Sequence, residues 1–173
     1  MNSKKPGGEK WKTWPKRAPK PPDMTHLSDM ERGYIAGMID GEGSILLRIY
    51  DWSLAIRLHV YNTNMAVLEW LKTRLGGYIS STFPGSERRK PCYRWSTTTL
   101  GARAVLRAVA PAMIIKRRHA QLIDQFFAVL PAYKKAHPGR FTPSNIHEPV
   151  KDIVAELNRL NRRGPRPDPP PSS

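Results

Sequence analysis

The sequence holds a single cysteine, Cys92, in 173 residues. That excludes an intrachain disulfide scaffold and a cysteine-built zinc cluster, which both need several thiols. A reduced compartment, the cytoplasm or an organelle matrix, is expected rather than secretion. No apolar run approaches the ~18 residues of a membrane span, and the basic N-terminus has no apolar segment of the kind that marks a secretory signal. Acids are scarce: 14 Asp and Glu stand against 29 Lys and Arg, for a formal net charge of +15 and a pI near 10.4. That imbalance points to nucleic acid or another anionic surface. Apolar residues reach only 39%, and the shortfall lies in the tails. Residues 1–22 and 164–173 hold five prolines each, of 17 in all.

Length favours one domain. Residues 1–25 read as a disordered basic, proline-rich arm, 26–163 as the folded domain, and 164–173 as a disordered tail. The arm carries Trp11 and Trp14, which either stack on a base or pack on the domain. Tails alone do not account for the charge. Residues 26–157 still hold 18 basic against 11 acidic side chains.

The domain opens on a helix signal. Ser28 and Glu31 are spaced as a capping box, and Leu27, Met30, Tyr34 and Met38 recur at helical spacing. The helix should run from Asp29 to about Asp40 and stop at Gly41 or Gly43. Ser44–Asp51 and Leu54–Tyr61 read as a hairpin turning at Asp51, Trp52 and Ser53. Strict alternation gives each strand an apolar face (Ile45, Leu47, Ile49; Ile56, Leu58, Val60) and a face bearing Arg, His and Tyr. Such a polar face suits an anionic surface, or is simply solvated. A helix over 62–75 follows, ending at Gly76-Gly77. A second hairpin pairs 77–83 with 92–98 around a loop holding Arg88, Arg89 and Lys90. Helices are expected over 100–109, 115–130 and from 149 or 150 to 160, with a linker at 131–146. The order implies an α+β fold: a four-stranded antiparallel sheet backed by helices, its other face free.

Residues 34–44 read Tyr-Ile-Ala-Gly-Met-Ile-Asp-Gly-Glu-Gly-Ser. This resembles the defining motif of the LAGLIDADG homing endonucleases. Ala36, Gly37, Ile39, Asp40 and Gly43 match it; Ile35, Met38, Gly41 and Glu42 replace its other four letters. The motif sits at the end of a helix directly before a hairpin, and the αββαββα order over residues 27–130 also matches. Gly33, Ala36 and Gly37 make a small-residue face on which another helix or the sheet can pack closely. With one motif and no internal repeat, the resemblance implies a homodimer whose motif helices pack together.

The resemblance further implies a metal-dependent endonuclease cutting a long, roughly palindromic double-stranded DNA site. Glu42 occupies the metal-binding acidic position, one methylene longer than the family's Asp, and the Gly41 carbonyl is a second ligand. The cofactor implied is Mg²⁺ or another divalent cation such as Mn²⁺, hard ions that take oxygen donors. Asp40 is read as accepting hydrogen bonds at the helix end. Lys116 falls where the family has a basic residue near the cleaved phosphate, or is a surface lysine at a helix start. Asn62 lies near a water-ordering polar position, or caps the next helix. The free sheet face would lie along the major groove. Alternation nominates Leu46, Arg48, Tyr50, Ala55, Arg57, His59, Tyr61, Ser80, Thr82, Arg94 and Ser96 for that face. Arg88, Arg89 and Lys90 are nominated for phosphate, along with Arg117, Arg118, Lys134 and Lys135. A rival within the same fold is a non-cleaving intron maturase that binds RNA.

Overall fold

A computed structural model describes residues 21–50, 53–136 and 148–162. The expectations for Trp11, Trp14, the turn at Asp51 and Trp52, and the tail lie outside the described residues. So do those resting on the side chains of Tyr50, Lys134 and Lys135.

Helix α1 spans Asp29–Glu42. Its capping box forms as the sequence predicts: Glu31 N–H donates to the Ser28 hydroxyl at 3.3 Å and Ser28 N–H to the Glu31 carboxylate at 2.9 Å. The helix runs two residues past Asp40, and Gly43 closes it, its N–H donating to the Ile39 carbonyl. A Cβ on Gly43 would strike the Ile39 backbone. Steric room, not a left-handed φ, is what demands glycine there: its φ is −86°.

Strands β1 (Gly43–Tyr50) and β2 (Ser53–Asn62) form the first hairpin, and β3 (Tyr78–Phe83) and β4 (Cys92–Thr98) the second. All pairs are antiparallel, in the order β1-β2-β4-β3. The apolar faces fall as alternation requires, with Ile45, Leu47, Ile56, Leu58, Val60 and Trp95 buried against the helices. Trp95 satisfies its one polar atom by donating Nε1–H to the Gly76 carbonyl at 2.8 Å. Gly76 and Gly77, at φ +70° and +83°, make the α2-to-β3 turn, and Gly77 packs directly against Ser96.

Helix α2 (Met65–Leu75) starts later than the sequence pattern suggests, because Asn64 caps it by accepting from Ala66 N–H. Helix α3 (Thr99–Val109) leads through a 3-10 turn at Ala110–Ala112 to α4 (Arg117–Ala136), with α5 at Glu148–Leu160. Two boundaries of α4 depart from expectation. It begins at Arg117 rather than Ile115, because the backbone N–H groups of Ile114, Ile115 and Lys116 are all donated to Asp40. It passes through Pro131 instead of stopping at Leu130. Pro131 is exposed, and Phe127, Val129 and Leu130 pack on the core just before it. That packing offsets the lost helix bond.

Arg32 of α1 has a role the sequence does not disclose. It donates to three backbone carbonyls, those of Leu27, Met24 and Ala108, tying the lead-in segment and α3 to α1. Among the described residues, no helix is long and apolar enough to cross a membrane.

Candidate functional site

The motif helix delivers two carboxylates with opposite fates. Asp40 is buried and accepts three backbone bonds: from Ile114 and Ile115 on Oδ2 at 2.6 and 3.1 Å, and from Lys116 on Oδ1 at 2.8 Å. Burial acts to raise its pKa, but these three bonds and the Lys116 charge outweigh it and hold the carboxyl below its ordinary value. The expected hydrogen-bonding role is met, with the donors coming from the α4 lead-in rather than from the helix's own end. Lys116 closes the clasp by donating its Nζ to the Asp40 backbone carbonyl. Burial lowers the Lys116 pKa, partly opposed by the negative charges of Asp40 and Glu42. Glu42 is exposed. It lines a cleft of about 210 Å³ with Tyr61, Asn62, Thr63 and Cys92. Thus the α1 end, the β2 end and the β4 start meet at one opening, and Lys116 is held beside it through Asp40.

Asn62 does not cap α2. Its Oδ1 accepts from Asn64 N–H at 2.8 Å, while Asn64 makes the cap. Asn62 lines the cleft with Glu42. Thr63 and Cys92 were not singled out from the sequence. Cys92 has the same strand parity as Arg94 and Ser96, which is the signal that finds it.

The sheet register places Leu46 opposite Arg57, Arg48 opposite Ala55, His59 opposite Ser96, and Tyr61 and Ser80 both opposite Arg94. Directly opposed residues share a face, so the nominated residues stand together. Tyr78, opposite Ser96 and exposed, belongs to the set and has the parity of Ser80. Thr82 leaves the ladder at a register shift between Ser81 and Phe83 and donates to the Cys92 carbonyl.

The face is less open than expected at two positions. His59 and Ser96 are 4% and 0% exposed and bonded to each other at 2.8 Å, His59 Nδ1 to Ser96 Oγ. They form a floor beneath the long side chains rather than a presented surface. Arg94 reaches across to donate to the Ser80 hydroxyl at 3.2 Å. The Nε atoms of Arg57 and Arg94 are buried with no partner in the protein. Burial, then the charges of Arg94, Arg57 and Arg48, push the His59 pKa from 6.5 to about 4.

That shift has a measurable sign. The unfolded imidazole takes up a proton near pH 6.5 and the folded one only near pH 4. The unfolded state therefore binds more protons in this window, and stability falls as pH drops through it. Chemical denaturation between pH 7 and 4 should show a loss of about 3 kcal/mol that His59→Gln removes. An equal pH slope in both proteins would show His59 to be solvated.

Arg88, Arg89 and Lys90 are exposed in the β3–β4 loop, where Ser86 and Arg89 exchange backbone bonds at 2.8 and 3.2 Å. On α1, Gly33, Gly37 and Gly41 have no atom within 4 Å of an added Cβ. Ala36 departs from expectation: it is fully buried inside the chain, because its helical position faces the core with Ile35 and Ile39. The open stripe is instead Met30, Gly33, Gly37 and Gly41.

For a divalent cation the donor chemistry fits and the number does not. Glu42 and the neighbouring Gly41 carbonyl are hard oxygen donors. Among the described residues no group of three or more His, Cys, Asp or Glu side chains is placed to hold a metal.

No protein-family model matches the sequence, and no curated protein does. Solved structures do match. The homing endonuclease I-CvuI in complex with its target is 19% identical, with a TM-score of 0.59 over 79% of this chain and 85% of that one. The archaeal intron-encoded homing endonuclease I-Vdi141I, complexed with DNA, is 22% identical, with a TM-score of 0.59 over 80% and 88%. The LAGLIDADG homing endonuclease I-GzeII, in complex with a DNA target, is 13% identical, with a TM-score of 0.51 over 75% of this chain and 43% of that one. The chain has the LAGLIDADG homing endonuclease fold, an α+β architecture with a four-stranded antiparallel sheet backed by helices.

Proposed function

We propose that this chain is a LAGLIDADG-type, site-specific endonuclease that acts as a homodimer, hydrolysing one phosphodiester in each strand of a long, roughly palindromic DNA site. The observation that carries the reading is the fate of Glu42. In a chain with twice as many bases as acids, this carboxylate stands exposed where the basic sheet begins, in one cleft with Asn62 and beside Lys116.

Glu42 and the Gly41 carbonyl would hold Mg²⁺ or Mn²⁺, with DNA phosphate and the second protomer completing the shell. When bound, such an ion supplies Lewis-acid stabilisation and a more acidic water. The residues of the chain do the rest. Lys116, anchored through Asp40, places an ammonium against charge developing on the phosphate. The free amide of Asn62 donates to water or a phosphate oxygen. On the sheet, Arg48, Arg57 and Arg94 suit bidentate contact with guanine, with Tyr61, Ser80 and Tyr78 alongside. His59 and Ser96 act beneath them by fixing the floor. Arg88, Arg89 and Lys90 contact phosphate and add salt-dependent affinity without sequence information.

The dimer is built on the outward stripe of α1. Open space over Gly33, Gly37 and Gly41 lets a second helix approach closely, and symmetry then brings two Glu42 side chains towards one axis. Gly37→Arg should give folded monomers in sedimentation, with loss of double-strand cleavage. A variant that remains dimeric would place the interface elsewhere. The function itself is tested by incubating the protein and Mg²⁺ with a randomised double-stranded DNA library and sequencing the cut ends.

A further inference from the structure

Strand β4 runs from the Glu42 cleft, at Cys92, to the first turn of α3, at Thr99. At that far end lies a second cleft, of about 530 Å³, between residues 97–101 and the α2-to-β3 turn at Gly76 and Gly77. The first N–H groups of a helix have no intrahelical acceptor and need another partner. Ser28 supplies one for α1 and Asn64 for α2. Thr98 holds the same position before α3 and makes no side-chain cap bond. The start of this 11-residue helix therefore lines the cleft uncapped, with the positive end of its dipole.

A second observation is independent of the helix. Thr97 is 7% exposed, and its hydroxyl has no hydrogen-bond partner among the described residues. It is set against the first turn of α3: a Cβ on Gly101 would strike its oxygen. A buried hydroxyl without a partner is costly, and this one lines the cleft. Among the described residues lining the cleft there is no Asp, Glu, Lys or Arg. N–H and hydroxyl donors without a carboxylate suit an anion with several acceptor oxygens.

The cleft adjoins the polar sheet face. Thr98 is exposed, lies opposite Arg57 and has the parity of Arg94 and Ser96. Tyr78, next after Gly77, is exposed opposite Ser96.

We propose that the α3 N-terminus and the Thr97 hydroxyl form a phosphate site that grips one backbone phosphate of DNA lying on the sheet. The DNA role rests on the reading given above; the phosphate site does not.

The test compares the full-length protein with Thr97→Val, which replaces the hydroxyl by a methyl group of similar size. Inorganic phosphate is titrated while the Leu100 and Gly101 amides are followed by ¹H–¹⁵N NMR. Both amides should shift saturably in the unmodified protein and in Thr97→Ser, and stay in place in Thr97→Val. Thr97→Val gives up no side-chain bond within the fold, so its Tm should equal or exceed the parent's. Its affinity for duplex DNA, by fluorescence anisotropy, should fall about 10-fold. The salt dependence of that affinity should be unchanged, because no charge is removed. Amides that phosphate does not move overturn the site. Equal duplex affinity in the two proteins overturns its use by DNA and leaves free phosphate as the ligand. If the unmodified protein cuts no DNA while phosphate still moves these amides, the endonuclease reading fails and the site stands.

Discussion

Glu42→Gln should lower DNA cleavage at least about 10³-fold while leaving target binding in place. The size follows from the divalent cation that the carboxylate is proposed to hold. Metal stabilisation of a phosphoryl transition state is worth several kcal/mol, and ~4 kcal/mol corresponds to about three decades of rate. Glutamine keeps the size and one oxygen donor but loses the charge that holds a hard cation. Glu42 is exposed and makes no bond that the fold requires, so the variant should unfold as the unmodified protein does. Affinity, measured by fluorescence anisotropy on the same duplex, should hold because the basic sheet is untouched. A parallel loss of binding would mean that Glu42 shapes the DNA interface rather than the cut.

Asp40→Ala should show the reverse pattern, a loss of stability first and of activity in consequence. Its carboxylate accepts the N–H groups of Ile114, Ile115 and Lys116 and so joins α1 to the start of α4. Removing it strands three donors that have no helix to return to. Each stranded donor costs about 1–3 kcal/mol when buried; some hydration at this part-buried site brings the expected total to about 3 kcal/mol or more. Asp40→Asn, which keeps one acceptor oxygen, should lose roughly half as much. The pH signature is also defined. A carboxyl held below its unfolded value of 3.8 stabilises the fold above that pH, and the contribution is lost as pH falls through the lower folded value. Urea unfolding should therefore show an acid-labile component below about pH 4 that is absent from Asp40→Ala. A variant as stable as the parent would show that Lys116 and the 3-10 turn hold the segment without the clasp.

Local rules made much of this fold legible. Ser28 and Glu31 announced α1 because a capping box is complete within four residues. Alternation in 44–61 set the sheet faces because a buried sheet face admits one register. The motif marked where α1 gives way to β1. What stayed hidden was long-range. Asp40 meets its donors more than 70 residues away, and nothing near it in sequence says so. His59 looked presentable on its own strand. It is buried because β4 sets Ser96 opposite it and the arginines fold over both. Ala36 shares a motif with Gly37, but one helical position turns it inward. Pro131 forecasts a stop by local rules, and core packing of Val129 and Leu130 overrides them.

The same separation applies to the site. Glu42 was nominated from its motif position, Lys116 from the likeness of the stretch at 111–122 to the family's, and Asn62 from its place after β2. The cleft that unites Glu42 with Asn62 and Cys92 exists only once β2 and β4 are paired.

The most direct test of the central claim is end-mapping on both strands of DNA spanning the uninterrupted form of the gene's own insertion locus. The purified protein and its Glu42→Gln variant are each incubated with that DNA and Mg²⁺. The account predicts one discrete cut in each strand, at symmetry-related positions, with the unmodified protein, and intact DNA with Glu42→Gln. Equal cleavage by both proteins would contradict the assignment of Glu42. Tight binding with no cut in this locus or in the randomised library would contradict the endonuclease reading itself.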